Sequence, residues 1–151
     1  MTADMNLDLL ERVDAVLVPI VAPLAMTVVG HEERSSLDLA SVTLQAGNVV
    51  ARVFRERGPI LLELASSATP YRFFDSAAVM EHLKVSAEGG IHGTELDRVL
   101  TGIGSFLTSF WHDLDAAFAP PGAERTNEAL AAIQERRATA RWGPSQGGGA
   151  V

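Results

Sequence analysis

Along residues 6–18, Leu7, Leu10, Val13 and Leu17 recur at spacings of three and four, with Asp8, Glu11 and Asp14 falling mostly elsewhere. That is the pattern of a helix with one apolar face. Pro19 is expected to end or kink it, and "PIVAPLAM" to add a further turn before "TVVGHEE" becomes extended. The period then changes to two. Ala40, Val42 and Leu44 alternate with Ser41 and Thr43, "QAGN" supplies a turn, and Val49, Ala51 and Val53 resume one face. A second turn at "ERGP" returns the chain through Ile60, Leu62 and Leu64. If Arg55 lies opposite Ile60, then Val53 faces Leu62 and Ala51 faces Leu64. On the reverse face Phe54 then meets Leu61, and Arg52 meets Glu63, so parity and charge agree. Arg52 and Glu63 are read as a cross-strand ion pair, in preference to a catalytic role.

Beyond Leu64, "ASSATP" reads as a loop, because Pro70 blocks continuation of a central strand. Asp75 or Ser76 can then cap a helix running to about Lys84, with Val79 and Leu83 inward. After the glycine-rich connector "VSAEGGIHG" comes the strongest helical repeat: Leu96, Leu100, Ile103, Leu107, Phe110 or Trp111, Leu114 and Phe118, stopped by "APPG". Thr94 and Asp97 approximate its capping box. This helix needs an apolar surface, and the sheet offers one, because Val50, Phe54 and Leu61 on its second face also require shelter. Gly102 and Gly104 fit either a close approach of another backbone or a weakened helix. The expected fold is α+β: an antiparallel β-meander of three to five strands with an N-terminal helix, a short helix after the sheet and a long C-terminal helix packed on it.

The last segment is patterned weakly. A helix over 122–140, capped by Thr126, has Leu130 and Ile133 as its main apolar anchors, and residues 141–151 read as a flexible tail. Residues 1–140 are therefore expected to form one domain whose last helix is weakly packed and separable. A chain ending after Pro121 is expected to stay folded. Arg136, Arg137 and Arg141 make this segment locally basic beside Trp142, and these four residues are the candidate partner-binding set.

Composition narrows the function. Of 151 residues, 12 are basic and 19 acidic, for a net charge of −7, and the excess of acid holds on both sides of residue 90. Phosphate neutralisation needs clustered Lys and Arg, so nucleic acid is not an expected partner. The absence of cysteine removes disulfides, thiolate nucleophiles and Cys zinc sites, and fits a cytoplasmic location. Arginine supplies all but one of the basic residues and alanine is abundant, a composition associated with GC-rich bacteria. The uncharged run "AVLVPIVAPLAMTVVG" is too short to span a bilayer and contains two prolines, and acidic rather than basic residues precede it. It is read as core.

The polar clusters lack the patterns that chemistry would need. Ser66 and Ser67 lack the glycines of a nucleophile elbow, and no pattern joins them to His82. His31 with Glu32 and Glu33, His92 with Glu95, and His112 with Asp113 and Asp115 lack the spacing of a metal site. "GIGSFL" lies inside a helical repeat rather than after a strand, unlike a phosphate loop. No catalytic, cofactor or metal residue is assigned.

The order of a helix, the meander "VTLQAGNVVARVFRERGPILLEL", a loop with Pro70 and Phe74, and "DSAAVMEHL" resembles small bacterial α+β proteins of the immunity-protein and uncharacterised accessory type. The resemblance covers residues 7–85 and implies binding of a protein partner through an acidic or mixed surface, without chemistry. The expected function is therefore that of a non-enzymatic, cytoplasmic interaction protein with a protein partner or a second copy of itself. The alternative is a small apolar ligand held between the sheet and the long helix by Leu107, Phe110 and Trp111.

Overall fold

The computed structural model of the chain describes residues 9–87 and 91–142. Helix α1 covers residues 9–24 and passes through Pro19 instead of ending there. A π turn at Val13–Leu17 precedes Pro19, which sits in the first turn of an α segment, Val18–Val21, followed by a 3-10 turn, Ala22–Leu24. The wider turn accommodates a residue that has no N–H to give and a ring that crowds the preceding carbonyls. The helix stops at Ala25, which is left-handed at φ 59°. Leu9, Val13, Leu17 and Val21 form its buried stripe.

Five strands follow: β1 Thr27–Arg34, β2 Leu39–Ala46, β3 Val49–Glu56, β4 Ile60–Ser66 and β5 Phe74–Asp75. They form one antiparallel sheet in chain order. The β3–β4 register is the one that parity and charge select, with Arg55 opposite Ile60, Val53 opposite Leu62 and Arg52 opposite Glu63. Strand β5 is short, and a bridge between Ile60 and Gly93 extends the sheet along the same edge.

Helix α2 is Ser76–Leu83, capped by Asp75, whose carboxylate accepts from the Ala78 N–H at 2.7 Å. The single long helix expected through Phe118 is instead two: α3 Leu96–Ser109 and α4 Trp111–Ala117. The chain bends at Phe110 (φ −114°, ψ 19°), and the bend lets α4 meet the β2–β3 hairpin. There Asp115 accepts from the Asn48 N–H at 2.9 Å and from Asn48 Nδ2 at 3.1 Å. Gly47, at φ 50°, is required twice over, since a Cβ there would also lie 2.6 Å from Asp115 Oδ1. Asp97 does not complete a capping box. Its carboxylate receives Arg12 Nε and Nη2, each at 2.9 Å, and so ties α3 to α1.

The core lies between one face of the sheet and the helices. Val42, Leu44, Val53, Ile60, Leu62 and Leu64 of that face join Leu17, Val79, Ile103, Leu107, Phe118 and Leu130 in one buried cluster. Gly104 marks where α1 crosses α3: a Cβ there would stand 2.6 Å from Ile20 Cγ2. Of the two roles open to this glycine, the close approach is the one observed. The expectation that the long helix would shelter Val50, Phe54 and Leu61 is corrected for the last two: Val50 is buried, whereas Phe54 is half-buried and Leu61 37 % exposed, both outside the core cluster that the helices form with the other face.

Helix α5, Ala123–Trp142, is unevenly packed. Ala123, Thr126, Asn127 and Leu130 are buried, and Thr126 donates to the Ala117 carbonyl at 2.6 Å instead of capping the helix. Asn127 Nδ2 donates to Thr69 Oγ1 at 2.9 Å, and Gln134 Oε1 accepts from the Asp75 N–H at 2.7 Å. Residues 135–141 are exposed. Arg141 and Trp142, expected to begin a tail, close the helix, and residues 143–151 of that expected tail lie outside the described residues. Among the described residues no helix is long and apolar enough to cross a membrane.

Candidate functional site

With the helices on one side, alternation along the strands sends a second set of side chains to a face that no helix covers. Cross-strand pairing orders them into rows. One row is Glu32, Ser41, Phe54 and Leu61, and the next is Gly30, Thr43, Arg52, Glu63 and Asp75. At the centre, Arg52 gives Nε to Glu63 Oε1 at 3.0 Å, with Nη2 donating to the same oxygen. The loop after β4 brings Phe73 over the guanidinium, whose carbon lies 4.0 Å from that ring centroid and 5.7 Å from that of Phe54. One carboxylate and two aromatic rings thus hold a single arginine in place, leaving Nη1 available.

Two adjoining clefts open beside this stack, and both are lined by Glu32, Ser41 and Arg52. The first, about 210 Å³, adds Arg34, Leu39, Phe54 and Arg55. The second, about 220 Å³, adds Gly30, His31 and Thr43. Arg55 is buried and already engaged within the fold. Tyr71, 95 % exposed, stands at the loop that carries Phe73.

The residues singled out from sequence fall elsewhere. Arg136 and Arg137 both pair with Glu81, Arg137 at 3.3 Å, and so fasten α5 to α2. Arg141 is exposed, and the side chain of Trp142 lies outside the described residues. Ser66 is fully buried, donating to the Phe118 carbonyl at 2.7 Å and accepting from the Ala68 N–H at 3.1 Å, the bonding of a structural serine. His31, His92 and His112 are exposed and His82 is half-buried. Among the described residues no three His, Asp or Glu side chains gather as a metal site would need. Leu107 is packed in the core, with Phe110 and Trp111 half-buried against it.

Sequence reasoning missed the open face as a site. The Arg52–Glu63 pair was legible, but Phe73 arrives through a loop whose path no periodicity encodes. Compared with known protein families, curated proteins and solved structures, the chain matches none of them.

Proposed function

We propose that the protein is a non-catalytic, immunity-like or accessory interaction protein of bacterial cytoplasm, and that it binds a protein partner through the uncovered face of its sheet. The observation that carries this reading is the Arg52 stack on a face left bare of helices, with Leu61 exposed next to Phe54 in its row and Tyr71 exposed on the loop that carries Phe73. Interface centres are enriched in aromatic residues and arginine, because such side chains bury much area for few rotatable bonds and still satisfy a hydrogen bond or charge. A guanidinium already fixed by Glu63, Phe54 and Phe73 loses little freedom on binding.

The test pairs two surface variants. Leu61→Asp with Tyr71→Ser alters exposed side chains only, so the melting temperature stays near that of the native chain while the co-purifying partner is lost. Thr101→Asp, on the exposed side of α3, retains it. Equal recovery of a partner by both variants, or a native chain that elutes alone, contradicts the reading.

A further inference from the structure

Gly30 has no structural reason to be glycine. It lies inside β1, its φ is not positive, and a Cβ built on it would meet nothing within 4 Å. The neighbouring register shift, between Val28 and Gly30, does not require glycine at a residue whose φ any side chain can adopt. Glycine in a strand interior forfeits side-chain packing and backbone entropy, and one common reason for it is the close approach of another molecule. Here the missing side chain empties the start of the row Gly30, Thr43, Arg52, and that gap is the second cleft.

The gap and the first cleft that adjoins it, which adds Arg34, Leu39 and Phe54, together present donors suited to an anion. Among the described residues, the Ser41 and Thr43 hydroxyls and the Arg34 guanidinium bond to no other side chain or backbone group, and Arg52 keeps Nη1 free while its other nitrogens hold Glu63. Across both clefts Arg34 and the free Nη1 of Arg52 face the space beside Glu32, while Arg55 is engaged within the fold and Glu63 holds the other nitrogens of Arg52. Leu39 and Phe54 form an apolar wall beside them. Resting on the interaction reading above, we infer that this trough receives a carboxylate carried on an acidic, partly apolar segment of the partner protein. Arg34, Arg52 and Ser41 bind the carboxylate, a neighbouring apolar side chain lies on Phe54, and Gly30 leaves the room. Arginine suits this role because its fork of donors matches a carboxylate.

The experiment is a titration of the full chain, isotopically labelled for NMR, with the capped peptide Ala-Leu-Glu-Phe-Glu-Ala and its Gln-for-Glu counterpart. Saturable shifts are expected at the amides of Ser41, Thr43 and Arg52 at millimolar peptide. The Gln peptide should bind about tenfold more weakly, the effect of losing a charge-assisted bond. Gly30→Leu fills the trough without removing a charge, and β-strands tolerate the larger residue. It should abolish the shifts while leaving the melting temperature no lower. Absence of shifts, equal binding of the two peptides, or undiminished binding by folded Gly30→Leu would each overturn the inference. So would self-association of the native chain in sedimentation that Gly30→Leu removes, since the occupant would then be a second copy. Loss of the partner in the Leu61 and Tyr71 variant with its retention in Gly30→Leu sinks the trough alone, whereas retention in both sinks the interface.

Discussion

Gly104→Ala adds one methyl group where α1 crosses α3. The new Cβ would lie 2.6 Å from Ile20 Cγ2, 3.0 Å from Ile20 Cβ and 3.1 Å from Ile20 Cδ1. Carbon atoms rest at ~3.5–4.0 Å, so the shortfall is about 1 Å at the nearest atom. A rotamer change can move Cγ2 and Cδ1, but it cannot move Cβ, and the helices must part. Overpacking of this kind costs ~1–3 kcal/mol. Alanine returns about 1 kcal/mol as the better helix former, leaving a net loss of roughly 1 kcal/mol. For a chain of this size that lowers the melting temperature by ~2–4 °C. Ile20→Ala alone loses about 1–2 kcal/mol, below the range for a fully buried isoleucine, since Ile20 is half-buried. In the double variant the clash with Cγ2 and Cδ1 is gone, so the two losses should fall short of adding by about 1 kcal/mol. Urea unfolding followed by circular dichroism measures all four stabilities. If Gly104→Ala stabilises the native background, as at an ordinary exposed helical glycine, and the two effects add, then the close crossing is wrong.

Three further outcomes follow from named contacts. Arg52→Glu sets like charges opposite each other at Glu63 and removes the guanidinium from Phe73, for a loss of ~1–2 kcal/mol in the same unfolding assay; an unchanged midpoint would contradict the stack. Asp115→Ala removes both bonds to Asn48, worth about 1–3 kcal/mol, and should speed hydrogen exchange at the Asn48 amide while amides in the middle of α3 stay protected. A chain ending at Gln134 loses the solvent-exposed pairs of Arg136 and Arg137 with Glu81 and, among the described residues, no buried side chain, and should lose no more than about 1 kcal/mol. One ending at Pro121 loses Leu130 and the Asn127–Thr69 bond and should fall by ~2–5 kcal/mol or more; equal melting of the two truncations would show α5 to be dispensable throughout.

The β3–β4 hairpin was legible because it carries two independent signals. Ala51, Val53 and Leu62, Leu64 fix which residues share a face, and Arg52 with Glu63 fixes the register between strands. The capping of α2 by Asp75 was legible for a similar reason, as a local bond between near neighbours. Helical periodicity, by contrast, says that a helix buries a face without saying which side of the sheet receives it. The cover expected over Phe54 and Leu61 therefore went to the opposite face. The bend at Phe110 is not legible because the apolar repeat runs unbroken through it, and the contact that α4 makes after it, Asp115 with Asn48, is to a distant hairpin. Arg136 and Arg137 looked available for a partner because Glu81, which they bind, is remote in sequence. Gly30 drew no attention inside "TVVGHEE", since its meaning depends on the empty space beside it, and composition carries no record of space.

Site-resolved photo-crosslinking in living cells tests the interaction surface most directly. A photoreactive phenylalanine analogue is placed singly at Leu61 on the open face, at Tyr71 on the loop that carries Phe73, and at Thr101 and Thr139, which are exposed on α3 and α5. The account predicts that Leu61 and Tyr71 crosslink to one and the same protein, that Thr101 and Thr139 do not, and that Phe54→Asp in the same chain abolishes the adduct. Adducts formed equally from α3 or α5, or none from the sheet face, would contradict it.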